Sequence, residues 1–272
     1  MGRTIGICNQ KGGTGKTTTA INLASYLALA NRKTLLIDMD PQGNATSGVG
    51  LNRENKNSIY EVIMGDAKIE ESIYPTEWTN LFLTPSHMAL TGGEIELVNE
   101  TNREGRLKRE LEKVKGDFSY IIIDAPPSLG LLTLNVLSAA DGIIVPVQCE
   151  YYALEGVSNL LNTIGLVKER LNAKLEIDGI VLTMGDFRTK LTLQVIEEIR
   201  NYFKEKAFNT VIPRNVKLAE APSFGQPIHF YDAECVGAKA YLALAQEVIK
   251  EGIDPLKVEN ISNILIANEL RK

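Results

Sequence analysis

Residues 11–18 combine glycines, lysines and hydroxyl side chains at a spacing that suits phosphate binding. They read Lys-Gly-Gly-Thr-Gly-Lys-Thr-Thr and lie between a short apolar run and a helix-forming stretch. Glycines let successive backbone N–H groups turn toward one anion, and the amino terminus of the next helix attracts negative charge. A lysine that reaches the β- and γ-phosphates and a hydroxyl that binds Mg²⁺ complete such a loop. The spacing therefore predicts a site for a nucleotide polyphosphate.

The residues of this loop have separate tasks. Lys16 is the lysine that reaches the β- and γ-phosphates, and the Thr17 hydroxyl is the Mg²⁺ ligand. The general phosphate-loop pattern has a glycine where this chain has Gln10, and an additional lysine, Lys11, opens the loop. A glycine-rich turn between strand and helix is the alternative structural interpretation. The predicted nucleotide-binding residues are Lys11, Gly12, Gly13, Thr14, Gly15, Lys16, Thr17 and Thr18.

Three aspartates follow apolar runs that have the character of strands. Asp38 and Asp40 end the second run, and Asp124 comes directly after the run 120–123. The carboxyl ends of the strands form the ligand-binding edge of an open α/β sheet. An acid after four strand-like residues is the Walker B arrangement, in which a carboxylate holds Mg²⁺. We predict that Asp38 and Asp124 lie at the metal. Two acids that cap a turn are the alternative for Asp38 and Asp40.

Short apolar runs alternate with longer amphipathic stretches, which is typical of parallel strands linked by helices. Several runs are apolar on both faces, as a sheet covered on both sides requires. The predicted strands are Ile5–Asn9, Thr34–Asp38, Leu81–Thr84, Tyr120–Asp124, Gly142–Val147, Gly179–Thr183 and Thr210–Ile212. The predicted helices are Lys16–Ala30, Arg106–Lys115, Leu154–Leu171, Leu193–Lys206 and Ala238–Lys250. We expect a single doubly wound α/β domain with a mostly parallel sheet over residues 1–253, and a carboxyl-terminal helical extension over 254–272.

The composition is that of an ordinary globular chain, with 272 residues, of which 44% are hydrophobic and 23% are charged. No run approaches the roughly 18 apolar residues that a membrane-spanning helix needs. The amino terminus lacks the basic and then apolar segments of a secretory signal. The three widely spaced cysteines, Cys8, Cys149 and Cys235, suit free thiols in a reducing compartment. We therefore expect a cytoplasmic protein.

Charge is unevenly distributed along the chain. The net charge is −5, which argues against a surface uniformly adapted to nucleic acid. Residues 185–217 nevertheless contain seven basic and four acidic side chains, a local balance of +3 that leaves −8 for the remainder. A basic face on an acidic body is one interpretation of this segment, and a solvated helix surface is the other.

Five motifs together resemble those of the ParA/Soj partition ATPases in the ParA/MinD group. They are the loop at 11–18, L-L-I-D-M-D-P-Q-G-N-A-T at 35–46, I-I-I-D-A-P-P-S at 121–128, P-V-Q-C-E-Y-Y-A-L-E-G at 146–156 and V-I-P-R-N-V-K-L-A-E-A-P-S at 211–223. The loop is similar to the deviant Walker A loop of that group, and the resemblance covers roughly residues 1–250. It implies a P-loop ATPase that uses ATP and Mg²⁺.

The resemblance also implies roles for individual residues. Lys11 matches the signature lysine, which crosses a dimer interface to contact the partner's nucleotide. Lys16 stabilises charge on the phosphates and Asp40 orients the attacking water, so these two residues and Lys11 are the expected catalytic set. Pro213 and Asn215 would frame the adenine base, although a simple turn also uses proline and asparagine.

For the whole molecule, the resemblance implies a homodimer when ATP is bound, DNA binding without sequence preference, and association with the nucleoid. A ParB-type centromere-binding protein would stimulate hydrolysis and release. Arg188 and Lys217 occupy the positions of DNA-contacting basic residues. Two departures imply a weaker DNA interface, because Gly185 stands where a larger residue is usual and the acidic Glu234 lies in a stretch that is usually more basic.

Four other kinds of protein share parts of this pattern. A MinD-like membrane-cycling ATPase needs a basic amphipathic carboxyl-terminal helix, whereas residues 254–272 carry mixed charges, so we expect no membrane partner. An iron–sulfur protein of the nitrogenase type needs bridging cysteine ligands, and the sequence contains no C-x-x-C. An amidoligase of the cobyrinate type needs a substrate site that the sequence does not display. An interaction switch that binds ATP with little turnover has the same loop.

Overall fold

Eight strands form one sheet in the part of the chain that the computed structural model describes, residues 2–52, 54, 56–150 and 153–249. They are β1 (Arg3–Ile7), β2 (Thr34–Asp38), β3 (Tyr74–Pro75), β4 (Leu81–Thr84), β5 (Tyr120–Asp124), β6 (Gly142–Gln148), β7 (Glu176–Gly185) and β8 (Ala207–Pro213). Their order across the sheet is β3-β4-β2-β5-β1-β6-β7-β8. Neighbouring strands are parallel except for the edge pair β3–β4. The predicted fold class, a doubly wound and mostly parallel α/β sheet, is confirmed.

The central strands bury apolar side chains on both faces of the sheet. Along β5, Ile121 and Ile123 enter the hydrophobic core on one face, and Ile122 enters the core on the other. β2 repeats this alternation with Leu35 and Leu36. Because successive side chains of a strand point to opposite faces, a strand covered on both sides must be apolar at every position. That requirement makes β2 and β5 recognisable in the sequence, and both have the predicted bounds.

Eleven α-helices are present within the described ranges. They are α1 (Lys16–Leu29), α2 (Asn44–Gly48), α3 (Ile59–Met64), α4 (Leu90–Glu96), α5 (Arg106–Val114), α6 (Leu131–Ala139), α7 (Ala153–Arg170), α8 (Lys190–Phe203), α9 (Val216–Glu220), α10 (Ile228–Tyr231) and α11 (Val236–Val248). Helices α1, α5, α7, α8 and α11 correspond to the five predicted helices. Helix α6 is absent from the predicted set because most of its side chains are buried, which leaves no polar stripe to mark a helical period.

Helix α8 begins and ends before its predicted bounds. Thr189 caps its amino terminus, since the Thr189 hydroxyl accepts a hydrogen bond from the Thr192 backbone N–H. The helix ends at Phe203 because Lys204 has a φ of 49° and a ψ of −124°, a backbone conformation that cannot continue an α-helix. The predicted bounds followed the apolar spacing alone and missed both local signals.

The last predicted element, the helical extension over 254–272, lies outside the described residues. Within the described part of the chain, no helix has the length and apolar character needed to cross a membrane.

His229 is a buried histidine in α10. Its side chain packs against two aromatic rings, with centroid distances of 3.9 Å to Phe230 and 4.9 Å to Tyr26. Its Nδ1 lies 3.4 Å from the Ser25 hydroxyl, and its Nε2 has no hydrogen-bond partner among the described residues. Burial lowers the pKa of His229 to about 3, so the ring is neutral in the folded protein near neutral pH.

We predict that His229 makes folding stability depend on pH. An unfolded histidine has a pKa of about 6.5, so below that pH the unfolded chain binds a proton that the folded chain does not. The contribution of His229 is complete above about pH 6.5 and falls by about 1.4 kcal/mol per pH unit as the pH drops toward the folded value. Urea unfolding at about pH 7 and about pH 5 should therefore show a smaller acid loss in His229→Phe than in the wild type.

The chain contains a second histidine, His87, which is exposed and supplies the matched control. The His87→Gln variant should lose as much stability on acidification as the wild type does. Equal losses in all three proteins would contradict the role given to His229.

Candidate nucleotide-binding site

The predicted phosphate loop joins β1 to α1 and leaves its backbone accessible. Gly13 and Gly15 have φ values of 73° and 85°, in the left-handed region where side-chain-bearing residues are strained. A Cβ built on Gly12 or Gly13 would meet no described atom within 4 Å beyond its chain neighbours, so the space above the loop is open. Gly15 is also the residue that precedes the 14-residue helix α1. The loop therefore presents N–H groups and a helix amino terminus to a common space, as phosphate binding requires.

Two polar side chains that the motif does not include fix the shape of the loop. The Asn9 side chain accepts a hydrogen bond from the Lys11 backbone N–H at 3.0 Å and donates one to the Pro146 carbonyl at 2.6 Å. The Thr183 hydroxyl donates to the Thr14 carbonyl at 2.9 Å. Pro146 lies in β6 and Thr183 in β7, so the loop is tied to the two strands that follow β1 across the sheet.

The two lysines of the loop have different surroundings. The Lys16 side chain is only 6% exposed, and its ammonium donates to the Lys11 carbonyl at 3.2 Å, within its own loop. Burial lowers the pKa of Lys16, and the nearby carboxylates of Asp124 and Asp40 oppose that shift. The Lys11 ammonium instead contacts the Glu150 carboxylate at 3.0 Å, and both of these side chains are nearly half exposed. Only Lys16 therefore lies inside the loop of its own chain.

Asp38 and Asp124 are neighbours at the carboxyl ends of the adjacent parallel strands β2 and β5. Asp38 is fully buried, and its carboxylate accepts hydrogen bonds from the Thr46 backbone N–H and hydroxyl, both at 2.7 Å, and from the Asp40 backbone N–H at 3.2 Å. Burial raises the pKa of Asp38 to about 6, against the effect of these hydrogen bonds. Thr46 therefore fixes the orientation of Asp38.

Asp124 is equally buried but lacks such partners. Neither of its carboxylate oxygens has a geometrically formed hydrogen bond to a described residue, although the Thr17 hydroxyl lies close enough to lower its pKa. Burial and the neighbouring Asp38 raise the pKa of Asp124 well above its usual range, while Thr17 and Lys16 act in the opposite direction. An ionised carboxylate in this position is costly unless a cation accompanies it.

The donor set at these carboxylates suits Mg²⁺ bound together with phosphate. Within the described residues, no three His, Cys, Asp or Glu side chains cluster into an all-protein metal cage. Mg²⁺ in nucleotide sites keeps several waters and uses one or two carboxylates plus phosphate oxygens, so it needs no such cage. Asp124, with both oxygens unpartnered, and the adjacent Thr17 hydroxyl fit as ligands. Asp38 fits better behind Asp124, because Thr46 and the Asp40 backbone already occupy its oxygens.

Asp40 lies just past β2 and is nearly buried. Its Oδ1 accepts a hydrogen bond from the Gln42 backbone N–H at 3.0 Å, and its carbonyl accepts one from Gly43 at 2.9 Å. Gly43 has a φ of 64° and precedes α2, so a tight turn places Asp40 between the metal-site strands and that helix.

Pro213 and Asn215 lie at the carboxyl end of β8, on the same edge of the sheet as the loop. The Asn215 side-chain oxygen is buried and has no hydrogen-bond partner among the described residues, so it is available to a donor such as an amino group. The chain that follows returns toward α2. A Cβ built on Gly225 would lie 2.7 Å from the Gly50 Cα, so the two segments pack backbone to backbone. This packing holds the segment that begins at Asn215 and contains Gly225 beside the segment that follows Asp40 and contains Gly50.

The two predicted DNA contacts lie outside the loop but on the same edge, after β7 and β8. Arg188 is highly exposed, with 87% of its side chain accessible to solvent, and Lys217 is the second residue of α9. Each is ion-paired within the chain: Arg188 with Asp186 at 2.7 Å, and Lys217 with Glu220 at 3.1 Å.

Local contacts account for both departures from the partition-ATPase pattern. A Cβ on Gly185 would lie 2.9 Å from the Val211 side chain and 3.6 Å from the Phe187 ring, so these neighbours take the space of a larger residue. Glu234 is exposed and pairs with Lys239 at 2.9 Å. Its negative charge therefore has a partner in its own chain.

A glycine loop between β1 and α1, with carboxylates at the ends of β2 and β5, defines a P-loop nucleotide-binding protein of the α/β class. Comparison with known proteins narrows that class. A family model described as an AAA domain matches residues 2–177. The chain is 55% identical over 251 residues to the chromosome partitioning protein ParA of Myxococcus xanthus, covering 92% of this chain and 89% of that protein. The chain belongs to the ParA/Soj family of partition ATPases.

Two further similarities agree with this placement. The sporulation initiation inhibitor protein Soj of Bacillus subtilis is 54% identical over 253 residues, which are 93% of this chain and all of that protein. The crystal structure of cobyrinic acid a,c-diamide synthase from Mycobacterium smegmatis, with a bound ATP analogue and magnesium, superimposes with a TM-score of 0.80. It is 35% identical and covers 92% of this chain and 95% of that one. Its lower identity favours the partition proteins over the amidoligase alternative.

We predict that Lys16→Ala strongly weakens nucleotide binding and turnover. The substitution removes the buried ammonium of the loop, and a hydrogen bond to a charged group contributes about 1.5–3 kcal/mol, so ATP affinity should fall at least about tenfold. Titration with a fluorescent ATP analogue and an assay of phosphate release measure the two effects. The exposed Lys174→Ala is the control and should behave as the wild type. Wild-type turnover in Lys16→Ala would show that the site is misassigned.

Proposed function

We propose that this protein is a DNA-partitioning ATPase that hydrolyses ATP with Mg²⁺ and binds DNA only in its ATP state. The observation that carries the proposal is the unpartnered buried carboxylate of Asp124 beneath an open glycine loop. Such a carboxylate needs a cation, and the Mg²⁺ that accompanies a nucleotide provides one. The names of the relatives, which are chromosome partitioning proteins, support the cellular role.

In this proposal the loop and the metal ligands stabilise charge. Lys16 and the loop N–H groups hold the β- and γ-phosphates, where negative charge develops as the γ-phosphoryl group passes to water. Thr17 and Asp124 would hold Mg²⁺, and the neighbouring Asp38 adds negative charge beside Asp124. Mg²⁺ bound there would supply positive charge to offset the negative charge of the phosphates. The dry surroundings of Asp38 and Asp124 strengthen these interactions.

Two other sets of residues place the reactants. Asp40 orients the attacking water, which suits its position between β2 and α2 and its proximity to Lys16. The free Asn215 oxygen accepts a hydrogen bond from the adenine amino group, and Pro213 packs against the base. The site needs no histidine as general base, and both histidines of the chain have other surroundings: His229 is buried among aromatic rings and His87 is exposed.

Lys11 is proposed to act on the nucleotide of a second subunit. Its ammonium lies outside its own loop, on Glu150, whereas Lys16 already occupies the inside. A site that depends on the partner's lysine is complete only in a dimer. ATP would then drive dimerisation, and slow hydrolysis would set the lifetime of the dimer.

We predict opposite effects of two substitutions on dimerisation. Asp40→Ala should retain ATP binding but stop water attack, so a long-lived ATP dimer accumulates. Lys11→Ala should still bind ATP as a monomer but dimerise poorly. Size-exclusion chromatography with ATP and with ADP distinguishes the two variants. A monomeric Asp40→Ala protein, or a Lys11→Ala protein that dimerises normally, would argue strongly against a dimer in which Lys11 completes the partner's site.

The ATP dimer is proposed to bind DNA without sequence preference, and a ParB-type centromere-binding protein to stimulate its release. A chain with a net charge of −5 is repelled by phosphate at long range. Two subunits would combine two copies of the 185–217 segment, each with a balance of +3. Dimerisation therefore makes DNA binding depend on ATP. The protein would cycle between the cytoplasm and the nucleoid.

We predict that DNA binding requires ATP and weakens steeply with salt. If Arg188 and Lys217 each neutralise one phosphate per subunit, a dimer makes about four contacts, and the log–log salt slope is about −4. Arg188→Glu and Lys217→Glu should each abolish binding while ATP still drives dimerisation. DNA titrations at several salt concentrations, with ATP and with ADP, test this. Equal binding in both nucleotides, or no loss in either variant, would favour the ATP-binding switch instead.

A further inference from the structure

Arg188 is engaged by a carboxylate two residues before it. Its Nε and Nη2 donate to the two Asp186 oxygens at 2.8 and 2.7 Å, and its backbone N–H donates to Oδ1 at 3.2 Å. The guanidinium and carboxylate therefore form a two-pronged pair, the strongest common geometry for these groups. The hydrogen bonds from Arg188 lower the pKa of Asp186 to about 2, so the acid is ionised at any physiological pH.

Lys217 is engaged in the same way by Glu220, one turn along α9. Its ammonium lies 3.1 Å from the Glu220 carboxylate and 5.5 Å from the centre of the Tyr231 ring. The Tyr231 hydroxyl donates to the same carboxylate at 2.9 Å and so fixes its position. Contacts with Lys217 and Tyr231 lower the pKa of Glu220, which keeps it ionised.

We propose that Asp186 and Glu220 are positioning residues that hold Arg188 and Lys217 in the DNA-free protein and are displaced by backbone phosphates. This proposal rests on the DNA binding proposed above and describes how that binding is regulated. A phosphate offers a guanidinium or ammonium the same acceptor chemistry as a carboxylate does. Solvent reaches both pairs, because Arg188 is 87% exposed and the other three side chains are partly exposed. Each cation therefore loses little net free energy when it exchanges its carboxylate for a phosphate. The two acids therefore compete with phosphate for Arg188 and Lys217, and a single isolated phosphate does not displace them.

The test uses isosteric neutral variants of the full-length protein. Asp186→Asn keeps an acceptor for the Arg188 backbone N–H, and Glu220→Gln keeps one for the Tyr231 hydroxyl, so thermal melting should confirm normal folding. Each variant should bind a short DNA duplex of arbitrary sequence about two- to fivefold more tightly than the wild type in ATP, the range expected for an exposed pair. The slope of its affinity against salt should stay near that of the wild type, since the same cations neutralise the same number of phosphates in the complex.

The matched control is Glu104→Gln. Glu104 also pairs with a nearby arginine, Arg103, at 2.9 Å, but it lies before α5, on the half of the sheet opposite β7 and β8. The control changes net charge by the same amount without releasing Arg188 or Lys217. Its DNA affinity should equal that of the wild type. An equal gain in the control would reduce the effect to net charge and overturn the proposal.

A double-mutant cycle separates a released cation from a general loss of negative charge. In an Arg188→Ala background, measured at low salt, Asp186→Asn should give no further gain, because there is no arginine to release. Glu220→Gln should likewise give no gain in a Lys217→Ala background. A gain that persists in these backgrounds would overturn the positioning role.

The outcome also distinguishes this inference from the proposed function. If the wild type binds DNA in ATP but neither neutral variant binds more tightly, the positioning role is wrong and the DNA-binding function stands. If the wild type does not bind and the Asp186→Asn/Glu220→Gln double variant does, the acids hold the cations but the native protein is not a DNA binder. If neither binds, the freed cations have no affinity for phosphate and the inference is wrong.

Discussion

Two aspartates buried side by side at one edge of the sheet are the constraint on which the site depends. Asp38 and Asp124 are register partners on β2 and β5, with apolar cores on both faces of the sheet. Burial and the nearby Asp38 charge raise the pKa of Asp124, and positive charge must balance the two carboxylates when they ionise. The buried Lys16 provides part of it. The Thr46 hydrogen bonds fix Asp38, so Asp124 is the carboxylate left available to a cation. The glycine loop then lies where the phosphates that share this cation would bind.

The fold was predictable wherever burial imposes a pattern on consecutive residues. Strands β2, β4 and β5 have their predicted bounds because a strand covered on both faces must be apolar along its whole length. Helix α6 was missed for the corresponding reason, since a helix buried nearly all round has no polar face to reveal its period. Strand β3 has two residues, of which one is proline, and only its antiparallel pairing with β4 defines it.

The functional site likewise contains local features, which the sequence predicts, and contacts between residues far apart in the sequence, which it does not predict. The loop was predictable because its residues act through a fixed local spacing, and the aspartates because strands of a parallel sheet end at one edge. The partners that position them were not predictable. Thr183 is 169 residues from the Thr14 carbonyl that it binds, and Glu150 is 139 residues from Lys11. Each is a common polar residue without a motif of its own, and only the order of β1, β6 and β7 brings it to the loop.

Ion pairs within the chain also reduce the positive charge that a subunit can offer to a second molecule. Lys11, Arg188 and Lys217, the cations assigned to a second molecule, are each paired with an acid of their own chain. Lys16, assigned to the chain's own nucleotide, instead donates to a backbone carbonyl. A local balance of +3 therefore overstates the positive charge that a single subunit offers to DNA. Because each exposed pair is weak, a partner with several acceptors at once can displace it, whereas one isolated anion gains little. The proposed dimer would supply several such contacts together, and their combined effect would exceed that of any one. The ion pairs would then favour binding by this dimer over binding by the monomer, in addition to any effect of net charge.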